Sequence, residues 1–507
     1  MKKSTSTTKR APMVKTHAAR VLSLLERGTS LYMKGRLRAA EEAFTEVFDA
    51  DPNNIAACAW AARCAADGGR HEQALALWRR AVQLDPRDPQ HRNGAAIALR
   101  KLGRSREAIT EYLEALAHAP AVASLHANLG TLFFDLNMFG EALQCFDTAL
   151  VLDPSLAPAH ANRGQALRRL DRSEEAESAF RVSLALDARQ PDAWNGLGTV
   201  AFDRLSFDEA QAAFSRAASL APDHPDAVCN LGSVLSRQGR FKEAIGRFER
   251  ALSTRPDALN AQWGLSLAAL TLGDFERGWR MHEARLGLPE LVSKFTLANE
   301  VFAQVPRWNG ASLKDRSITL LPEQGFGDLI QFHRFAQRLV REGAKAVNVV
   351  TPAPLVRLMQ AQTDGVNIVP EGTTVPRTDY AELLMSMPYR VRFNPLETPD
   401  PASYLVAPRE AVESWRAKLD EIAPRNNGLR VALVWAGRPT HPNDGLRSIV
   451  WGALAPLLAI DGVRLVSLQK GGPERAIDQS TKVVNLGPQL NDFADTAAVL
   501  TQCDLLI

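Results

Sequence analysis

Small and aromatic residues recur through the first half of the chain with a period of 34. Ala40, Ala74, Ala108, Ala142, Ala176, Ala210 and Ala244 share one register, and four residues after each come Phe44, Trp78, Tyr112, Phe146, Phe180, Phe214 and Phe248. One helical turn separates the members of each pair. They therefore lie on one face, the alanine admitting a neighbouring helix and the ring filling the space beside it. Pro52, Pro86, Pro120, Pro154, Pro222 and Pro256 keep the same register, with Ala188 in the one gap. This periodicity predicts stacked helix pairs over residues 20–286, seven clear copies and a degenerate eighth.

Two further columns refine the pairs. Gly35, Gly69, Gly103, Asn137, Asp171, Gly239 and Gly273 fall where the first helix of each pair should end, and these residue types tolerate a positive φ. Leu205 breaks that column. Gly28, Gly130, Gly164, Gly198 and Gly232 mark places where a missing side chain lets two helices approach.

After Leu286 the period stops, and residues 287–314 read as a linker with a Trp308-Asn309-Gly310 turn. Strand-like runs at Ser317–Leu321, Ala346–Thr351, Val366–Val369 and Ala381–Met385 then alternate with helical stretches at Leu329–Glu342 and Pro354–Gln362. This is the pattern of a parallel sheet covered by helices. A second alternating unit follows over residues 426–507, after a helix at Arg409–Ile422 and a Pro-Arg-Asn-Asn-Gly hinge at 424–428 that closes the first unit, 315–425. The fold class expected is an α-solenoid followed by an α/β pair.

The stretch Leu320–Phe332 joins the first strand to its helix. Gly325 and Gly327 suit a sharp turn and a close ligand approach, and Asp328 begins the helix, where its carboxylate can cap free N–H groups or act on a substrate. Both readings of Asp328 stand on the residues alone.

Composition narrows the partners. Sixty basic and 57 acidic residues leave a net charge of +3, too balanced for a nucleic-acid or membrane-surface role. Five scattered cysteines suggest neither a disulfide framework nor a zinc spacing and fit a reducing cytoplasm. Residues 1–19 read as a disordered basic tail without a secretory core. No run approaches the roughly 18 apolar residues of a membrane span.

The repeats resemble the tetratricopeptide repeat, which implies a groove lined by the first helices that holds a peptide or protein partner. Asn128, Asn162 and Asn230 share one position there, as in the ladder by which the similar O-linked N-acetylglucosamine transferases grip a peptide backbone, although Gly94 and Gly196 interrupt it. The alternative is a solvated groove residue common to such repeats.

The second half resembles the GT-B glycosyltransferases, above all heptosyltransferase-like domains found behind tetratricopeptide repeats in bacterial proteins. The matching residues are Glu323, Gln324, Gly325, Gly327, Asp328 and Gln331, then Val434 to Gly437, His441, Asn443, Asp444, Arg447, Ser448, Ser467 to Gln469 and Asp492 to Ala498. The resemblance implies an inverting, metal-independent transfer with a nucleotide sugar as co-substrate and no cofactor. Asp328 would be the base; Glu323, Gln324, Gly325, Gly327 and His441 would line the acceptor side. Arg447, Ser448 and Lys470 would hold the donor phosphates. For Lys470 a solvated turn is the competing reading, and for His441 a surface loop. The family continues beyond the strand that ends at Ile507 with a donor-binding loop, so the second unit is expected to be incomplete. The functional expectation is a transferase acting on an acceptor recruited by the repeats, with a non-catalytic interaction scaffold as the alternative.

Overall fold

A computed structural model describes residues 11–507 apart from 324, 363–364, 397–403, 426–427, 438–443, 472–476 and 478–481. The chain divides into two compact units, Met1–Pro256 and Asp257–Ile507.

Among the described residues the first unit holds seven helix pairs, from Ala11–Met33 with Leu37–Ala50 to Pro225–Arg237 with Phe241–Thr254. From Ile55 onward every first helix has 13 residues and every second helix 14, so the packing register repeats without a slip. The alanine and aromatic columns are buried throughout. Phe180 shows why glycine is needed beside them: a Cβ on Gly164 of its own repeat would lie 2.7 Å from the ring, and one on Gly196 of the next repeat 2.3 Å. Those distances are too short for any side chain.

The turn column behaves as expected, with φ near +60° to +76° at Gly35, Gly69, Gly103, Asn137, Asp171 and Gly239. Leu205 adopts the same conformation, φ +62°, so the exception is one of chemistry and not of backbone. The first helix begins at Ala11, and the tail expected over 1–19 therefore gives its last residues to helix.

The second unit opens with the eighth pair, Leu259–Thr271 and Phe275–His282, the latter only 8 residues long. The segment expected as a linker, 287–314, instead carries short helices at Pro289–Val292 and Thr296–Phe302. Its apolar residues explain this: Phe295, Ala298 and Val305 bury themselves against Leu321, Val350 and Leu383 of the sheet that follows.

Strands β1 (Ser317–Leu321), β2 (Ala346–Thr351), β3 (Val366–Pro370) and β4 (Tyr380–Leu383) form a parallel sheet in the order β3-β2-β1-β4. Strands β5 (Leu429–Leu433), β6 (Val463–Ser467), β7 (Val483–Asn485) and β8 (Leu505–Leu506) form a second, in the order β7-β6-β5-β8. Each order reverses beside its first strand, the arrangement that opens a crevice at the carboxyl ends of the strands. One boundary moves. Helix Arg409–Ile422 packs Trp415 and Leu419 against Ala432, Val466 and Ala498, so it belongs with the second sheet and not with the 315–425 unit. Among the described residues no helix is long and apolar enough to cross a membrane.

Candidate functional site

Helix Phe326–Arg341 starts at the carboxyl end of β1. Asp328 Oδ2 accepts the Gly325 N–H at 3.1 Å, which ties up one carboxylate oxygen in the helix start. Neither Gly325 nor Gly327 has a positive φ, so the sharp turn expected of them is not what they supply. They leave the surface open: a Cβ on Gly327 would meet nothing within 4 Å, and one on Gly325 only Asp328, at 3.8 Å. Gln324 lies outside the described residues, as does His441.

Glu323, expected on the acceptor side, is buried instead. Arg285 donates to both its oxygens, Nε at 2.8 Å and Nη2 at 2.9 Å, and the Met385 N–H donates at 3.0 Å. A buried carboxylate needs such partners, and three donors leave it little capacity for a ligand. Around this pair the structure assembles Glu283, Ser386, Glu382, Arg307 and Arg390. Arg285 Nη1 and Ser386 Oγ donate to Glu283 at 2.8 and 2.7 Å, and Arg390 donates to Glu382 at 2.6 Å. Burial alone would raise the Glu283 pKa, yet Arg285, Ser386 and Arg390 hold it below the ordinary carboxylate value. The cluster fixes the backbone immediately before the Gly325 loop.

In the second sheet the loop after β5 is held by Gln469, whose Oε1 accepts the Trp435 and Ala436 N–H groups at 3.1 and 3.0 Å. Ser448 Oγ accepts the Gly437 N–H and donates to Asp444, both at 2.9 Å, while Arg447 Nε lies 3.5 Å from the same carboxylate oxygen. Ser448 thus shapes the loop, and Arg447 keeps a half-exposed guanidinium on it. Lys470 is exposed and donates Nζ to the Leu490 carbonyl at 2.5 Å, a bond between two loops.

The carboxyl edges of the two sheets meet. Phe326, following β1, packs edge-on against Phe493, following β7, with ring centroids 5.4 Å apart. Arg357, from helix Ala353–Gln360 after β2, pairs with Asp492 at 3.0 Å and also with Asp495. Burial would raise Asp495, but the Asn491 N–H, Trp415 and Arg357 keep it below the usual range and ionised. Arg357 falls in no motif, and Phe326 lies within the Leu320–Phe332 stretch but carries no polar group to mark it; only the folded chain brings them to this edge.

In the first unit each of the three groove asparagines bonds back to the repeat before it. Asn128 Nδ2 donates to Asn93 Oδ1 at 2.9 Å and Asn230 Nδ2 to Asn195 Oδ1 at 3.0 Å, while Asn162 Nδ2 lies 3.3 Å from Thr131 Oγ1. Asn93 and Asn195 directly precede Gly94 and Gly196, so the apparent gaps in the ladder are bridged by the neighbouring residue. That column could have been found in the sequence by allowing a one-residue offset.

Residues 31–93, 93–157 and 189–257 match models of the tetratricopeptide repeat. The first unit is a tetratricopeptide-repeat array. Over 74 residues the chain is 42% identical to the TPR repeat-containing thioredoxin TTL4 of Arabidopsis thaliana, covering 15% of this chain and 10% of that protein. It is 29% identical over 136 residues to the probable UDP-N-acetylglucosamine–peptide N-acetylglucosaminyltransferase SPINDLY of Hordeum vulgare, covering 25% and 14%. Protein FlbA of Caulobacter vibrioides is 24% identical over 272 residues, covering 48% and 44%. The chain thus spans less than half the length of each of these relatives. Among solved structures, the Cut9–Hcn1 assembly aligns with a TM-score of 0.44 at 18% identity over 53% of this chain and 52% of that one. The TPR protein YrrB aligns at 0.30 and 23% identity over 37% and 97%.

Proposed function

We propose that the chain is a tetratricopeptide-repeat glycosyltransferase of GT-B type, in which the repeats recruit a peptide or protein acceptor and the paired sheets take a nucleotide sugar. The observation that carries the reading is the meeting of two carboxyl sheet edges at Phe326 and Phe493, beside an uncrowded glycine loop that starts a helix with Asp328. The resemblance of that loop to heptosyltransferases and the similarity to SPINDLY support it.

In this reading the acceptor hydroxyl gives its proton to Asp328 as its oxygen attacks the anomeric carbon, and the nucleoside diphosphate leaves with the electrons of the broken bond. In the same reading Arg447 would steady the leaving diphosphate. Asp328 caps its helix through Oδ2 at the same time, a double use that fixes its direction. The asparagine pairs in the groove keep amide capacity for the backbone of an extended acceptor.

The test is nucleotide release from a panel of nucleotide sugars in the presence of candidate acceptor peptides. Asp328→Asn, which retains a capping oxygen, should lose release while donor binding persists. Release at the wild-type rate would remove Asp328 from the base role. A chain that binds peptide but no nucleotide sugar would instead be the scaffold.

A further inference from the structure

The second and third repeats meet at the turn between helices His71–Leu84 and Pro89–Lys101. There Asp85, Asp88 and His91 each offer a donor atom, and all three atoms lie within 4.8 Å of one another. Asp85 and Asp88 serve the turn through a single oxygen each, accepting the Arg87 N–H at 3.1 Å and the Gln90 N–H at 2.8 Å through Oδ1. Their other oxygens take no part in those bonds.

His91 is the residue that needs explaining. It is only 6% exposed, and neither ring nitrogen has a hydrogen-bond partner. Nε2 sits 3.5 Å from Asp88 Oδ2, outside hydrogen-bond geometry, and the ring lies beside Trp78 with centroids 6.1 Å apart. Burying polar nitrogens without partners costs stability. The position does not require it: in six other repeats the equivalent residues are Ala57, Leu125, Ala159, Ala193, Ala227 and Ala261, all buried, and in the first repeat it is the exposed Ser23. Aspartate, aspartate and histidine occur together at these positions in this repeat and in no other.

We propose that Asp85, Asp88 and His91 bind a divalent transition ion of the zinc or cobalt kind, a site that the sequence did not suggest. One imidazole and two carboxylates suit such an ion, whose tetrahedral donors, about 2.0–2.2 Å from it, stand roughly 3.3–3.6 Å apart, so the three donor atoms would draw together on it to close the site. The ion would tie the end of one repeat to the start of the next and hold the groove at that junction. It would also give the buried imidazole its missing partner.

The experiment titrates Co²⁺, and separately Zn²⁺, into the full chain after chelator treatment, following the cobalt visible bands and calorimetric heat, with circular dichroism as the folding control. Wild type should bind one equivalent, with nitrogen and oxygen ligation and no thiolate charge-transfer band. His91→Ala restores the residue that most other repeats carry, so it should fold as wild type and lose the binding. Asp88→Asn keeps the helix cap and should weaken it. Absence of any binding by folded wild type, or equal binding by His91→Ala, would overturn the site.

Discussion

The two units place their side chains by different means. In Met1–Pro256 each helix pair meets its neighbours through columns 34 residues apart, so a groove residue such as Asn128 is positioned by local register. In Asp257–Ile507 the loop before Gly325 is positioned by Arg285, Glu323 and Ser386, residues 38 and 101 positions apart in the chain. Damage to the first should stay local; damage to the second should spread through the sheet.

The sharpest way to break this contrast is Arg285→Met, which strands Glu323 and Glu283 without their main cation. We expect a loss of about 3–5 kcal/mol confined to the second unit, seen as an earlier urea transition for that unit with the repeat transition unmoved. In the repeats, Gly196→Ala forces a Cβ against Phe180 and should cost up to about 3 kcal/mol, with the second unit unchanged. Equal shifts of both transitions in either variant would erase the distinction.

Acid separates the units by sign. His282 lies between Trp263 and Trp279, at ring-centroid distances of 4.9 and 5.7 Å, and burial, aided by Arg285, lowers its pKa to about 3. Its folded pKa is below the unfolded one, so the unfolded chain takes up a proton first as pH falls below about 6.5. That favours unfolding by about 2 kcal/mol at pH 5, an effect His282→Leu should remove from the urea midpoints measured at pH 7.5 and 5. In the repeats, His224 Nε2 donates to Asp192 Oδ1 at 3.0 Å, and that hydrogen bond raises its pKa. Its contribution is present below the unfolded pKa and is lost as pH rises through the folded one. His224→Asn should therefore cost stability at pH 5 and little at pH 8.5. The smallest effect expected is at Leu205, where glycine would relieve a left-handed leucine and raise the repeat midpoint by about 1 kcal/mol.

The same contrast explains what was legible beforehand. The repeat register, the turn column and the strand positions are local patterns, and even the strands fell within a residue or two of expectation. Glu323 was legible as a motif residue but not as a buried one, because its partner Arg285 ends the eighth repeat and carries no pattern of its own. Lys470 and Ser448 were legible as polar loop residues, but their bonds to Leu490 and to Asp444 and Gly437 join loops that no local pattern links. Helix Arg409–Ile422 was placed correctly along the chain and with the wrong sheet, since its apolar face does not say which core it covers.

The most direct test of the proposed function is a calorimetric titration of the full chain with UDP-, GDP- and ADP-linked sugars. The account predicts saturable one-site binding of at least one of them, weakened by Arg447→Ala and unaffected by Asn128→Ala in the repeats. Binding of none, by a chain whose two units are both folded, would contradict it.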